Sequence, residues 1–369
     1  MQSFQNPLSS DFYKTRISSR KEDMRGPYFR DQTAIIHSMA FRRLKKKTQV
    51  FFSPQNDHVC TRIEHSLHVS TIASVICKAL GLDTEMAQAI ALGHDIGHAP
   101  FGHAGEKKLN ELASDCGGFF HEVQSLRVLD RIENDGKGLD LTYAVRDGII
   151  SHCGEEDDRS LKPYQSVKNL DTIREKGSIP TTYEGCVVRF SDKIAYLGRD
   201  IEDSITAGII RIEDVPQSIR DALGSKNGEI IDAFVNDLVE WSERNRLIGF
   251  SDQKFDLIRK LKDFNYQKIY KHERLGNYIE YVERIIERLF EYLLHYVSEF
   301  QMDFDLYKHV PEKLVKRIGD YIERRQSAYT LEPFNATRVV IDYIAGMTDD
   351  YALKTFEEIT FPKPIEFVR

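Results

Sequence analysis

A chain of 369 residues, 41% hydrophobic and 30% charged with 22 Gly and 11 Pro, is long enough to bury a substantial core and too rich in apolar residues to be disordered, which excludes small disulfide scaffolds and fibrous repeats. The 51 basic residues are outnumbered by 58 acidic ones, a net charge of −7. The chain as a whole is therefore no polyanion binder, and any nucleic-acid contact has to come from a local patch.

In chain order, the start MQSFQNPLSSDFYK lacks the basic and apolar regions of a secretory signal, which predicts a cytoplasmic protein. No stretch approaches the roughly 18 apolar residues of a membrane helix, so no membrane association is expected. Residues 13–47 carry the one basic segment: Lys14, Arg16, Arg20, Lys21, Arg25, Arg30, Arg42, Arg43, Lys45, Lys46 and Lys47. It suits a solvated face or an anion-binding patch equally. Strand-like Thr48–Ser53 and His58–Thr61, split by PQND, predict a minor hairpin near 48–61. Helical spacing follows, with Ile63, Leu67, Ala73 and Ile76, then Met86, Ile90 and Leu92 behind the N-cap pair Asp83–Thr84. The segment 153–180 reads as a long loop, 183–208 as one amphipathic helix, and 252–301 as the longest apolar stripe, through Tyr278, Val282, Ile285, Leu289, Leu293, Tyr296 and Phe300. Such a stripe belongs to a core or a subunit interface rather than a cofactor site. The expectation is an all-α protein forming a single domain over 1–369, with a metal-site core at about 26–210 and a C-terminal helical part at about 211–369. Cys60, Cys77, Cys116, Cys153 and Cys186 are odd in number, widely spaced and never CxxC, as expected of reduced thiols.

Histidine is where the sequence departs from background. Six of the 12 histidines, His65, His68, His94, His98, His103 and His121, fall within residues 65–121, where an even spread gives about two. Clustered imidazoles beside carboxylates are what Mn, Fe, Co, Ni or Zn requires. The sharpest piece is LGHDIGHAPFGHAGE (92–106). His94 and Asp95 are neighbours at the end of an apolar helix, and adjacent residues on a continuous helix point about 100° apart. Both reach one ion only near a break, which Gly93, Gly97 and Pro100 allow. Partners have to come from other helices, and His65 in RIEHSLHVSTIA and Asp192 in FSDKIAYLGRDIED offer themselves.

This order of H, then HD, then D resembles the HD-domain metal-dependent phosphohydrolases, and within them the deoxyguanosine triphosphate triphosphohydrolases and related dNTP hydrolases. The resemblance runs through SMAFRRLKKKTQVF (38–51), RIEHSLHVSTIA (62–73), HDIGHAPFGHAGE (94–106), FFHEVQSLRVL (119–129), SDKIAYLGRDIED (191–203) and VVIDYIAGMTDDYAL (339–353). Departures are His68, where bacterial relatives usually carry an acidic residue, Asp350, where many carry arginine, and Ala34, where a basic residue is usual. These bear on substrate preference and regulation.

The resemblance implies an HD-domain helical fold in which His65, His94, Asp95 and Asp192 hold one divalent transition metal, with Mn favoured, and Mg accompanies the substrate triphosphate. It implies catalytic roles for the pair His103 and Glu106 and for His98 and His121 as phosphate contacts or proton donors, whereas His68 reads as structural. Arg62 and Lys193 are expected beside the triphosphate. Asp192, Tyr196 and Asp200, spaced i, i+4, i+8 on one helix face, are expected with Gln49 to surround the deoxyribose. The implied reaction cleaves a dNTP, with dGTP leading, to deoxynucleoside and inorganic tripolyphosphate. The partners expected are a dNTP substrate, a nucleotide activator, single-stranded DNA on 13–47, and further copies of the chain in a dimer-based or hexameric homo-oligomer. Two other readings stand beside it: an HD nucleotidase or phosphodiesterase acting on a monophosphate or cyclic nucleotide, and a single-stranded nucleic-acid-binding regulator whose metal site is accessory.

Overall fold

Pro27, whose missing N–H costs nothing at a first helical position, opens α1 (Pro27–His37). The computed structural model describes residues 4–18, 21–50, 59–154, 158–331 and 333–361. Helix α2 (Arg62–Leu80) starts from a capping box, in which the Thr61 N–H donates to Glu64 Oε2 at 2.8 Å, and stops at Gly81 in the left-handed region. Asp83 caps α3 (Thr84–Gly93) by accepting the Met86 N–H at 3.0 Å. After α4 (Gly102–Leu112), α5 (His121–Arg127) and α6 (Tyr143–Ile150) comes the long α7 (Tyr183–Thr206), capped by Thr182. Further on lie α8 (Asn227–Asn245), α9 (Asp252–Asn265), α10 (Glu273–Phe300), α11 (Ala336–Ala345) and α12 (Asp349–Thr360). The all-α expectation holds.

The strands lie elsewhere than expected. Among the described residues the one sheet pairs β1 (Ser160–Leu161) antiparallel with β2 (Ile248–Gly249). Of the hairpin expected near 48–61, a single bridge between Thr48 and Thr61 is seen, and 51–58 lies outside the described residues. The stripe at 252–301 is also interrupted. A wide π-type turn at Tyr266–Tyr270 separates α9 from α10, so the periodicity belongs to α10 alone. There Val282, Ile285, Leu289, Leu293 and Phe300 are buried against α4 and α11. No helix among the described residues is long and apolar enough to cross a membrane. All five cysteines are free.

The apolar interior has two parts. The first gathers Ile35 of α1, Ile76 of α2, Ile90 of α3, Ile149 of α6, Ile194 of α7 and Phe234 of α8. The second gathers Leu109 of α4, Leu289 and Leu293 of α10, Val340 and Ile344 of α11, and Ala352 of α12. The chain passes from one to the other within 94–101, since Ile96 packs in the first, while Ala99 and Phe101 pack in the second. Two polar residues clamp this crossing. Lys47 Nζ donates to the carbonyls of His98 and Ala345, and the Asp349 carboxylate accepts the N–H groups of Thr48 (3.0 Å) and Phe101 (2.9 Å). Lys47 thus leaves the basic segment for the interior, where burial pulls its ammonium down to about 7. Arg16, Arg25, Arg30, Arg43 and Lys46 are engaged in ion pairs with neighbouring carboxylates, and Arg20 lies outside the described residues.

Candidate active site

The crossing at 94–101 forms one wall of a cavity of about 340 Å³, within the range of small-molecule sites. Helix α3 ends at Gly93, so His94 and Asp95 stand on a turn rather than a continuous helix, as Gly93, Gly97 and Pro100 lead one to expect. Gly97 is required on a further ground. A Cβ there would sit 2.1 Å from the Ser125 nitrogen and 2.5 Å from the His121 carbonyl oxygen, so its absence lets α5 close on the turn and brings His121 to the cavity.

His65 from α2, His94 and Asp95 from the turn, and Asp192 from α7 converge. His65 Nε2 lies 2.8 Å from Asp192 Oδ1 and 3.9 Å from Asp95 Oδ2, while His94 Nε2 lies 3.3 Å from Asp95 Oδ1 and 3.8 Å from Asp192 Oδ1. The observation that tests their fitness for a metal is the His94 ring. Its Nδ1 is bonded to the Ala91 carbonyl at 2.6 Å, which fixes the tautomer, and the buried Nε2 has no hydrogen-bond partner. A lone pair aimed at two carboxylates is what a divalent cation would satisfy. The four residues fit one ion. Burial works against ionisation of both acids, yet His94, His98 and Arg62 hold Asp95 well below the usual carboxylate range, and the bond from His65 does the same for Asp192.

Arg62 is 1% exposed and donates to Asp95 Oδ2 at 2.8 Å, but its Nε and Nη2 have no partner. Gln49 Oε1 and Asp200 Oδ1 are buried acceptors, equally unpaired. All three residues line the cavity, together with Lys193 and Tyr196. Asp200 receives the Tyr270 hydroxyl on its other oxygen, and burial, outweighing that bond, raises its carboxyl to about 7.

The Glu106 carboxylate serves two histidines. Its Oε2 lies 3.6 Å from Nδ1 of His103, the expected i, i+3 partner, whose side chain is 80% exposed at the cavity mouth. Its closer bonds are to His121, at 3.0 Å to the backbone N–H and 2.8 Å to Nδ1. The reason is that Glu106 caps the start of α5, where the first N–H groups of a helix lack internal partners. Although burial opposes it, the Glu106 charge raises His121 well above the usual imidazole range, and His121 in turn keeps Glu106 well below its own. His98 stacks on His121 with ring centroids 3.9 Å apart, and burial, reinforced by Arg62, keeps it well below the usual range. His68, partly exposed on the flank of α2, does not line the cavity.

Sequence reasoning missed His152, Cys153, Tyr270 and Tyr278, all of which line the cavity. The first two carried a usable signal, since a His–Cys pair at the end of apolar α6 repeats the arrangement of His94–Asp95 at the end of α3. The tyrosines carried none, being hidden among other aromatic residues of 252–301.

Comparison with known proteins shows what the chain is similar to. The family model described as HD domain matches residues 62–197, and that described as phosphohydrolase-associated domain matches 248–358. A deoxyguanosinetriphosphate triphosphohydrolase-like protein of Caldanaerobacter subterraneus is 38% identical over 97% of this chain and 93% of its own. One of Clostridium perfringens strain 13 is 38% identical over 93% and 89%. A crystal structure of a hypothetical protein from Aquifex aeolicus aligns at TM-score 0.33 and 18% identity, over 68% of this chain and 70% of that one.

Proposed function

Since the chain belongs to the deoxyguanosinetriphosphate triphosphohydrolase-like family of HD-domain phosphohydrolases, we propose that it hydrolyses a deoxynucleoside triphosphate, dGTP foremost, to the deoxynucleoside and inorganic tripolyphosphate. The observation that carries this reading is the sorting of unpaired groups in one cavity. Arg62 offers two buried donors beside the metal ligands, whereas Gln49 and Asp200 offer two buried acceptors. Donors suit phosphate oxygens and acceptors suit a sugar hydroxyl.

His65, His94, Asp95 and Asp192 would hold the metal ion, which when bound would polarise a phosphate oxygen and lower the pKa of water. In the proposed reaction water attacks the α-phosphorus, the bond from phosphorus to the 5′-oxygen breaks, and that oxygen leaves with a proton as the deoxynucleoside hydroxyl. Arg62 and Lys193 neutralise charge on the triphosphate. His121, kept charged by Glu106, bears a transferable proton at the cavity wall, and His103 stands at the mouth where the phosphate chain enters. Tyr196 packs against the sugar at C2′, and Asp200 and Gln49 accept its 3′-hydroxyl.

The decisive experiment compares kcat/KM for dGTP, GTP and dideoxy-GTP, with products separated by ion exchange. A ribose 2′-hydroxyl pressed on Tyr196 without a partner costs about 1–3 kcal/mol, so dGTP should exceed GTP by roughly 10- to 100-fold. Tyr196→Ala should narrow that gap, and dideoxy-GTP should be poor because it leaves both acceptors unpaired. Equal use of dGTP and GTP by the unaltered protein would reject the pocket in favour of a nucleotidase or phosphodiesterase.

Asp200 also makes stability depend on pH. An unfolded Asp loses its proton near 3.8, whereas the folded one keeps it to about 7. Between those values folding takes up a proton, so this group's contribution falls as pH rises, by at most about 4 kcal/mol in total. Asp200→Asn retains the acceptor for Tyr270 and removes the titration. The melting temperature of Asp200→Asn should gain on the unaltered protein between pH 5 and pH 8, and an unchanged difference would show that Asp200 does not titrate there.

A further inference from the structure

In the lining of the same cavity, three donor atoms meet that the proposed metal centre does not use. His121 Nε2 lies 3.2 Å from His152 Nε2 and 3.2 Å from Cys153 Sγ, and all three ligand atoms fall within 4.8 Å of one another. We infer that His121, His152 and Cys153 form a second binding site, for a thiophilic divalent cation such as Zn²⁺ or Co²⁺.

The hydrogen bonds behind the cluster carry the argument. His152 Nδ1 lies 2.7 Å from the Ile149 carbonyl, which only accepts, so the proton of this 2%-exposed ring is on Nδ1 and a lone pair is on Nε2. His121 Nδ1 is likewise spent on an acceptor, Glu106 Oε1 at 2.8 Å. Both rings therefore direct their remaining nitrogens at a common point, and the thiol sulfur joins them there. A histidine whose far nitrogen is tied to a carboxylate or a backbone carbonyl is oriented as metal-binding histidines are. Separations of 3.2 Å correspond to angles of about 90–100° at an ion about 2.1 Å from nitrogen and 2.3 Å from sulfur. Two imidazoles and a thiolate select borderline and soft ions over Mg²⁺ or Ca²⁺.

The site is separate from the first. It shares no ligand with His65, His94, Asp95 and Asp192, although the His94 and His152 rings approach to 4.8 Å between centroids. Its three residues line the cavity, so the remaining coordination position opens toward whatever occupies that space. Sulfur labels it: Cys153 can give a thiolate-to-metal charge-transfer band, and the His and Asp ligands of the first centre cannot.

The test titrates the full-length, chelator-stripped protein with Co²⁺ and reads metal content and near-ultraviolet absorption, without substrate. Two Co²⁺ per chain and a cobalt–thiolate band are expected. Cys153→Ser should abolish the band and leave one Co²⁺, and Asp192→Ala should weaken the other site while the band persists. One Co²⁺ per chain without a band in the unaltered protein overturns the inference, leaving a proton to bridge the two rings, as does a band that survives Cys153→Ser or vanishes with Asp192→Ala. None of these readings depends on turnover, and an ion here occupies the His121 Nε2 that carries the proton in the proposed reaction, so the filled site and the charged imidazole exclude one another.

Discussion

Asp192→Ala is expected to release the metal from the centre it shares with His65, His94 and Asp95, and to lower dGTP turnover by at least about 10³-fold, the kinetic equivalent of the several kcal/mol that a bound ion contributes to charge stabilisation. Asp192 is the better probe of the two acids. Asp95 also receives Arg62 at 2.8 Å, with both side chains nearly fully buried, so Asp95→Ala strands a buried guanidinium, at about 3–5 kcal/mol of stability, and confounds catalysis with folding. Asp192 makes its close contact with His65 and retains 19% side-chain exposure, so its truncation leaves the interior intact. Metal analysis of the folded variant beside its turnover decides the matter. Unchanged occupancy at the His/Asp centre would remove Asp192 from the ligand set.

Glu106→Gln should retain metal and lose turnover by about 10²-fold or more, the usual worth of a positioned acid or base. The amide still accepts the His121 backbone N–H, so α5 keeps its cap. What disappears is the negative charge that holds His121 protonated against its burial. His121→Ala should cost a similar factor, and the double variant little more than either single one, because residues acting as a unit are not additive. His103, exposed and 3.6 Å from Glu106, should behave otherwise, so that His103→Ala multiplies the loss in Glu106→Gln. Multiplicative losses for His121 with Glu106, and non-additive ones for His103 with Glu106, would return the pairing to the one suggested by their i, i+3 spacing.

That spacing shows why the site was only partly legible in sequence. His65, His94, Asp95 and Asp192 could be put forward as ligands because clustered histidines and a glycine-rich break at a helix end are local features, and because the ordered H, HD and D segments resemble a known family. The bond of Glu106 to His121 was not legible, since it depends on a backbone approach at Gly97 and a turn at Gly117–Gly118 that bring the start of α5 to Glu106. Helices followed from period and caps, as at Thr61 and Asp83. The turn at Tyr266–Tyr270 escaped because it carries no proline or glycine and its aromatic residues continue the apolar pattern. Lys47 was misread for the same kind of reason. Its two carbonyl partners, at His98 and Ala345, are distant in sequence, so nothing nearby distinguished it from the solvated lysines beside it.

The passage of residues 94–101 from one apolar interior to the other separates two traits that evolution can then alter independently. His65, His94, Asp95 and Asp192 are carried by elements packed in the first interior, whereas Phe101, Ala104 and Tyr278, which line the cavity with His65, Asp95 and Asp192, are packed in the second. A substitution that repacks α10 against α11 shifts the apolar side of the cavity and leaves the ligands where they are. Descendants of such a chain could explore new bases or sugars while inheriting an unaltered metal chemistry, with Lys47 and Asp349 keeping the two halves in register as the second one drifts.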